Sequence, residues 1–327
     1  MGVLLALGML GMILDGKTAM QGASQGVELC LTAVIPSLLP FLCLSMLLTT
    51  RLMGRKLRIL APIGKLFGLP MGAEALLIPA LLGGYPAGAA CVAQAVQREQ
   101  LNRRDGEILL GFCNLPGPAF LFGIVARQFT DPFAGAVLWL CALFGAWAAS
   151  RLLPKRADSA AAAGASGTDP LGQAGAAMGK ICVTVILFRT MLNFFDTYLH
   201  LDGPVQAAVA GFLELTNGCC ALQNVSSESA RFLLAAGMVS FGGVCVGMQT
   251  AFVCPGLGLR YYWSGKLLQA LFSVLLGWLL MRKAFLFLGV LAAALIFLPR
   301  KVAFWRGRVY NGFKHPPGRK LCFSERK

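Results

Sequence analysis

The stretches 29–50, 75–97, 108–126, 132–150, 232–259, 267–281 and 284–299 contain no Asp, Glu, Lys or Arg. A membrane-crossing helix needs about 20 predominantly apolar residues, so these charge-free runs read as membrane segments. That reading leaves the chain few ways to fold, because in lipid every backbone amide and carbonyl must be satisfied inside the protein. The chain has 57% hydrophobic and 13% charged residues and a mean hydropathy of +0.70. An ordinary soluble domain carries about 25% charged residues, so a soluble globular enzyme is excluded. The eleven Cys are odd in number and nearly all lie in or beside apolar runs, which excludes a secreted disulfide scaffold. They read as small buried residues.

The net charge of +15 resides in short loops and in 300–327, which holds nine of the 29 Lys and Arg. Basic loops beside spans report orientation rather than nucleic-acid binding, and no nucleic-acid partner is expected. Residues 1–25 read as an N-terminal span and loop. Arg51, Arg55, Lys56, Arg58 and Lys65, with no acid among them, place 51–68 on the cytoplasmic side. The run 75–97 is long enough to cross, yet its centre is Gly83-Gly84-Tyr85-Pro86-Ala87-Gly88, a helix-breaking sequence. The loop that follows, 98–105, carries three Arg, so charge bias favours a re-entrant hairpin that returns to its starting side. The run 108–126 then crosses outward, interrupted by Asn114-Leu115-Pro116-Gly117-Pro118, and 132–150 returns to Arg151, Lys155 and Arg156.

Residues 154–177, rich in Ala, Gly and Ser, read as a flexible linker. Beyond it, 180–198 crosses to a loop with two Asp and no Lys or Arg, and 205–223 carries Glu214-Leu215-Thr216-Asn217-Gly218 at its middle. The run 231–259 returns through Ser240-Phe241-Gly242-Gly243 to Arg260 and Lys266, which read as a cytoplasmic flank. The sequence predicts an all-α polytopic membrane protein of two inverted-topology halves, 26–153 and 178–283, each with a broken re-entrant hairpin and a broken span. A last span at 284–299 and a basic tail at 300–327 follow. Both termini are expected in the cytoplasm of a bacterial cell, with the tail lying on anionic lipid.

Motifs along most of the chain carry a family resemblance. Pro36-Ser37-Leu38-Leu39-Pro40-Phe41, Gly84-Tyr85-Pro86-Ala87-Gly88-Ala89, Phe112-Cys113-Asn114-Leu115-Pro116-Gly117-Pro118-Ala119-Phe120, Glu214-Leu215-Thr216-Asn217-Gly218 and 240–249 occur in that order. In these the chain resembles the YlbJ-type sporulation integral membrane proteins, which carry the nucleoside-recognition (Gate) domain. The resemblance implies a helical membrane protein of endospore-forming bacteria, with a role in spore cortex formation and passage of a solute it does not name. Its protein partners would be a second copy of itself or other sporulation membrane proteins.

Single residues admit two readings each. Glu214 lies isolated in neutral sequence from 203 to 227, and an ionisable group at that depth costs about 2.5–3.5 kcal/mol on insertion scales and marks a functional site by default. Its alternative is a structural latch of the hairpin. Asn217, Gln249 and Asn114 either bind a polar solute or close the amides and carbonyls freed by helix breaks. Arg189 is either the charge partner of Glu214 or a snorkelling headgroup ligand. Gly84, Tyr85, Gly242 and Gly243 supply crossovers near a substrate, or simply close packing. No catalytic constellation, cofactor motif or metal-ligand spacing is present in the sequence, and His200 and His315, the only two His, fall in a loop and the tail. The chain reads as no enzyme and as needing no cofactor or metal. It is expected to be a permease for a small polar solute with a midplane site between the halves, or else a non-transporting membrane scaffold in spore envelope assembly.

Overall fold

The computed structural model describes residues 2–55, 57–154, 169–199 and 201–297. It is 80% helical, with no strand among the described residues, as a chain must be when its backbone has no water to bond. Five helices there are long and apolar enough to cross a membrane: Gly16–Leu52, Ala134–Leu152, Pro170–Tyr198, Glu228–Val253 and Arg260–Met281.

The chain begins with α1 (Gly2–Leu14) and α2 (Gly16–Leu29), and the second of these corrects the reading of the sequence. The stretch after Leu14, expected as loop because it is polar, is helical. Asp15 caps it, accepting from the Thr18 amide at 3.0 Å and from the Tyr198 hydroxyl at 2.7 Å. These bonds, the Thr18 pair foremost, hold the Asp15 carboxyl down at about 2. A π-turn, Cys30–Val34, joins α2 to α3 (Ile35–Leu52). After a short α4 (Ala61–Phe67), the chain enters the first break. The π-helical turn Pro79–Gly83 ends at Gly84 (φ +74°), the Ala87 amide donates to the Gly84 carbonyl at 2.8 Å, and α5 (Ala87–Gln97) runs on from there. The expected helix break is present at 84–86. Helix α6 (Arg103–Leu110) ends before non-helical 114–117, helical turns follow from Pro118 to Gln128, and α7 (Ala134–Leu152) closes the first half.

The second half repeats that order of elements. A long span, α8 (Pro170–Tyr198), precedes a hairpin of α9 (Gly203–Leu213) and α10 (Leu215–Ala221), broken at Glu214. A span broken at Gly242 and Gly243 follows, α11 (Glu228–Phe241) then α12 (Gly243–Val253), and then the unbroken α13 (Arg260–Met281). Helix α14 (Phe285–Phe297) ends the described chain. Most of the expected linker and the whole basic tail lie outside the described residues, and the chain is already helical from Pro170.

Equivalent elements of the two halves pack on each other: α2 and α3 against α8, and α7 against α13. Small residues make this possible. Gly22 and Gly26, four apart on α2, let its backbone approach that of α8, where a Cβ on either would come 2.8 Å from the Cα of Thr190 or Ile186. Gly145 of α7 faces the Gln269 carbonyl in the same way.

Helix α13 shows which solvent the fold is built for. Tyr262, Lys266, Gln269, Ser273 and Leu276 share its buried face, while Leu267, Leu271 and Trp278 are exposed. Polar side chains inside and leucines outside invert the arrangement of a water-soluble helix. The protein is an integral membrane protein, with these exposed faces against lipid.

We expect Gly145→Val to lower the melting temperature in detergent by several degrees. A Cβ there would lie 2.4 Å from the Gln269 carbonyl oxygen, and overpacking of this kind costs about 1–3 kcal/mol. Gly175→Ala, where nothing lies within 4 Å, is the control and should melt like the unmodified protein.

Candidate functional site

The two hairpin breaks and the two broken spans converge at the centre of the molecule. Gly84 abuts Gly117, where a Cβ on Gly84 would lie 3.1 Å from the Gly117 nitrogen. In the second half Gly243 (φ +77°) abuts the carbonyls of Gly211, Phe212 and Leu213, the nearest 2.9 Å from its ideal Cβ. Each hairpin tip is thus seated on the break of its own half's span. Only glycine tolerates both the positive φ and that proximity.

Between these crossings lies a cavity of about 50 Å³ lined by residues of both halves, among them Tyr85, Gly117, Phe120, Glu214, Thr216 and Gln249. One water needs about 10–15 Å³ on the same measure, so the space holds a few waters or a very small solute. Glu214 is 2% exposed. It sits at the N-terminus of α10, where one carboxylate oxygen accepts from the Thr216 amide at 3.1 Å. The other oxygen accepts from the Asn217 amide at 2.8 Å and from Asn217 Nδ2 at 2.6 Å. All three neighbours donate, so the carboxyl is used purely as an acceptor at the positive end of a short helix.

Arg189 does not reach Glu214. Its guanidinium donates to Gln25 Oε1 at 2.6 and 2.9 Å and to Asn217 Oδ1 at 3.2 Å, and its ion pair, at 3.5 Å, is with Asp196. The expected direct pairing of charges is replaced by a relay in which the Asn217 amide accepts from the cation and donates to the carboxylate. The close approach of α2 at Gly26 brings Gln25 within reach. These groups line a second cavity, of about 320 Å³, with Gln206 and Asn224. A third, of about 150 Å³, is lined by Gln94, Gln97, Gln173 and Lys180.

The three cavities succeed one another along α8. Gln173 and Lys180 line one, Ile181 and Val185 the central one, and Arg189 and Asp196 the next. From Gln173 to Asp196 a helix climbs about 35 Å at 1.5 Å per residue, close to the roughly 30 Å thickness of a bilayer's hydrocarbon core.

The remaining sequence candidates bond to neighbouring side chains or close the breaks. Asn114 is fully buried and donates to Thr250 Oγ1 at 3.1 Å. Gln249 lines the central cavity and donates to Cys245 Sγ at 3.3 Å. Gly242 (φ +87°) ends α11 beneath the Tyr85 ring, 3.5 Å from its ideal Cβ. The Tyr85 hydroxyl donates to the Val239 carbonyl at 2.7 Å, tying the first hairpin to the second broken span.

Sequence reasoning missed Lys266. Expected as a cytoplasmic flank, it is instead completely buried, and its ammonium donates to Tyr85 Oη at 2.9 Å, Ser240 O at 3.2 Å, Gln269 Oε1 at 3.2 Å and the Asn114 carbonyl. Gln269 in turn donates to the Gly111 carbonyl at 2.6 Å. The signal that could have found it is the polar spacing Lys266, Gln269, Ser273, which falls on one helix face, together with Tyr261-Tyr262-Trp263 just before it, an aromatic cluster of the kind that marks a membrane interface.

Fold and site together define a polytopic helical membrane protein with a polar centre built from interrupted helices. Over 118 residues the chain is 34% identical to the sporulation integral membrane protein YlbJ of Bacillus subtilis (strain 168). That stretch is 35% of this chain and spans 28% of the relative's length. The finding supports the YlbJ-type resemblance read in the motifs. No family model matches the chain, and no solved structure does.

Tyr85→Phe should lower the melting temperature measurably. It leaves the Val239 carbonyl without its donor and takes one acceptor from Lys266, and an unserved buried group costs about 1–3 kcal/mol. An unchanged melting curve would show that this contact between the halves is dispensable.

Proposed function

We propose that this chain is a sporulation-related membrane permease that moves a small polar solute through the centre of the molecule, between halves of opposite membrane orientation. One observation carries the reading: three cavities follow one another along α8 over roughly the thickness of a membrane, the outer two rich in polar side chains, and Glu214 lies with Thr216 and Gln249 in the mostly apolar middle one. Interrupted helices meeting at mid-depth are the usual setting of transport sites. The repeated order of elements and the packing of equivalent helices support two related halves, and the loop charges support their inversion, with both termini cytoplasmic. The relative's name places such a protein in sporulation. The central cavity fits a few waters, so passage of a solute of nucleoside size would need the hairpin tips to part.

A second reading is a non-transporting scaffold in spore envelope assembly. The small volume of the central cavity and the seating of each hairpin tip on its span favour it.

The deciding experiment is solute flux into proteoliposomes, with a panel that includes nucleosides and small organic anions, comparing the protein with Glu214→Asp. Asp is as good a helix-capping residue as any, so a purely structural Glu214 predicts unchanged stability and unchanged flux. A role in binding predicts normal melting with flux reduced at least tenfold, because the shorter side chain withdraws the carboxyl from the cavity. Absence of flux for the whole panel would leave the scaffold. Orientation is checked by single cysteines at Arg55 and Arg104, both exposed, in a background without native cysteines. Equal accessibility to an impermeant thiol reagent is expected, and opposite accessibility would overturn the first hairpin and with it the inversion.

A further inference from the structure

Lys266 has an uncommon environment for a lysine. Its ammonium is enclosed by oxygen from four residues, Tyr85, Asn114, Ser240 and Gln269, and stands 4.4 Å above the centre of the Tyr85 ring. None of these four partners is a carboxylate. Two of the four acceptors, the Asn114 and Ser240 carbonyls, are of the kind that a broken helix leaves over, and the other two are side-chain oxygens. Ser240 lies in the last turn of α11 before Gly242, where the helix presents its negative end, and Asn114 lies in the non-helical stretch after α6.

An ammonium has three protons to donate, and four acceptors already compete for them. Two of the residues that supply these acceptors hold further oxygen that is buried and without a partner, Asn114 Oδ1 and Ser240 Oγ. Freed main-chain carbonyls, helix C-termini and neutral hydroxyl or amide oxygens are the ligands that hard monovalent cations take, and unwound backbone in membrane proteins binds Na⁺ in this way.

We propose that Lys266 is a tethered cation, its ammonium filling a site that the two interrupted spans otherwise build for an alkali-metal ion. The protein is then indifferent to Na⁺ and K⁺ as it stands, and shortening the lysine uncovers a binding site for them. This does not depend on whether the chain moves a solute, and its test reads no flux.

The experiment is thermal unfolding of the purified full-length protein in NaCl, KCl or N-methylglucamine chloride at equal ionic strength. The unmodified protein should melt alike in all three. Lys266→Ala should melt several degrees lower in N-methylglucamine. Na⁺, K⁺ or methylammonium should raise its melting temperature saturably, as a ligand specific to the folded state does. Lys266→Gln, one atom shorter but still a hydrogen-bond donor without charge, should show the same order of salts with a smaller span. A cation-dependent melting temperature in the unmodified protein would overturn the proposal, as would variants that fold but do not distinguish small cations from bulky ones. Failure of both variants to accumulate would count against it too, since cellular K⁺ would refill a vacated site during synthesis.

Discussion

A lysine ammonium set among main-chain carbonyls is the contact on which the centre of this molecule depends. Interrupting two spans in a membrane leaves carbonyl groups that no water can reach, each costing several kcal/mol if left bare. Lys266 serves Asn114 and Ser240, Gln269 serves Gly111 and Tyr85 serves Val239. Two side chains of α13 and one from the first hairpin thus make both interruptions tolerable. Because the carbonyls belong to different halves, the same bonds fix the halves against each other.

The arrangement at Glu214 answers the complementary need. There an interrupted helix leaves amides rather than carbonyls, and the carboxylate accepts from two of them. The centre therefore contains an acidic group at a helix start and a basic group at helix ends, each hydrogen-bonded to the local backbone. Asn217 extends the anionic side outward to Arg189, so the cavity next to the loops and the cavity at the centre share one hydrogen-bonded chain.

How much of this was legible in the sequence follows from what each residue has for neighbours. Gly84, Pro86, Pro116, Gly242 and Gly243 betray the breaks because Gly and Pro act on the backbone wherever they stand. Glu214 is visible because nothing charged surrounds it. Lys266 is hidden because it borders an apolar run, where a lysine ordinarily marks the membrane surface; the helical spacing to Gln269 and Ser273, with the aromatic cluster before it, distinguishes a buried stripe from a flank. The 16–28 stretch misleads for a related reason. Its polarity reads as exposure, whereas Thr18, Gln25 and the glycines between are used against α8, with Asn193 donating to the Thr18 carbonyl at 2.9 Å. Sequence polarity reports what a side chain needs, and another helix can meet that need as well as water can.

The span formed by α2, its π-turn and α3 covers 37 residues, about 55 Å at 1.5 Å per residue, against some 30 Å of hydrocarbon. Such a rod cannot stand upright within the bilayer. It has to lean, or project its polar first third into the headgroups alongside α8. Local membrane thickness therefore bears on this pair of helices as a mechanical load. The π-turn at Cys30–Val34, where the helix is wound wider than its neighbours, lies where the polar third meets the apolar remainder, and a thinner or thicker membrane would flex the rod there first.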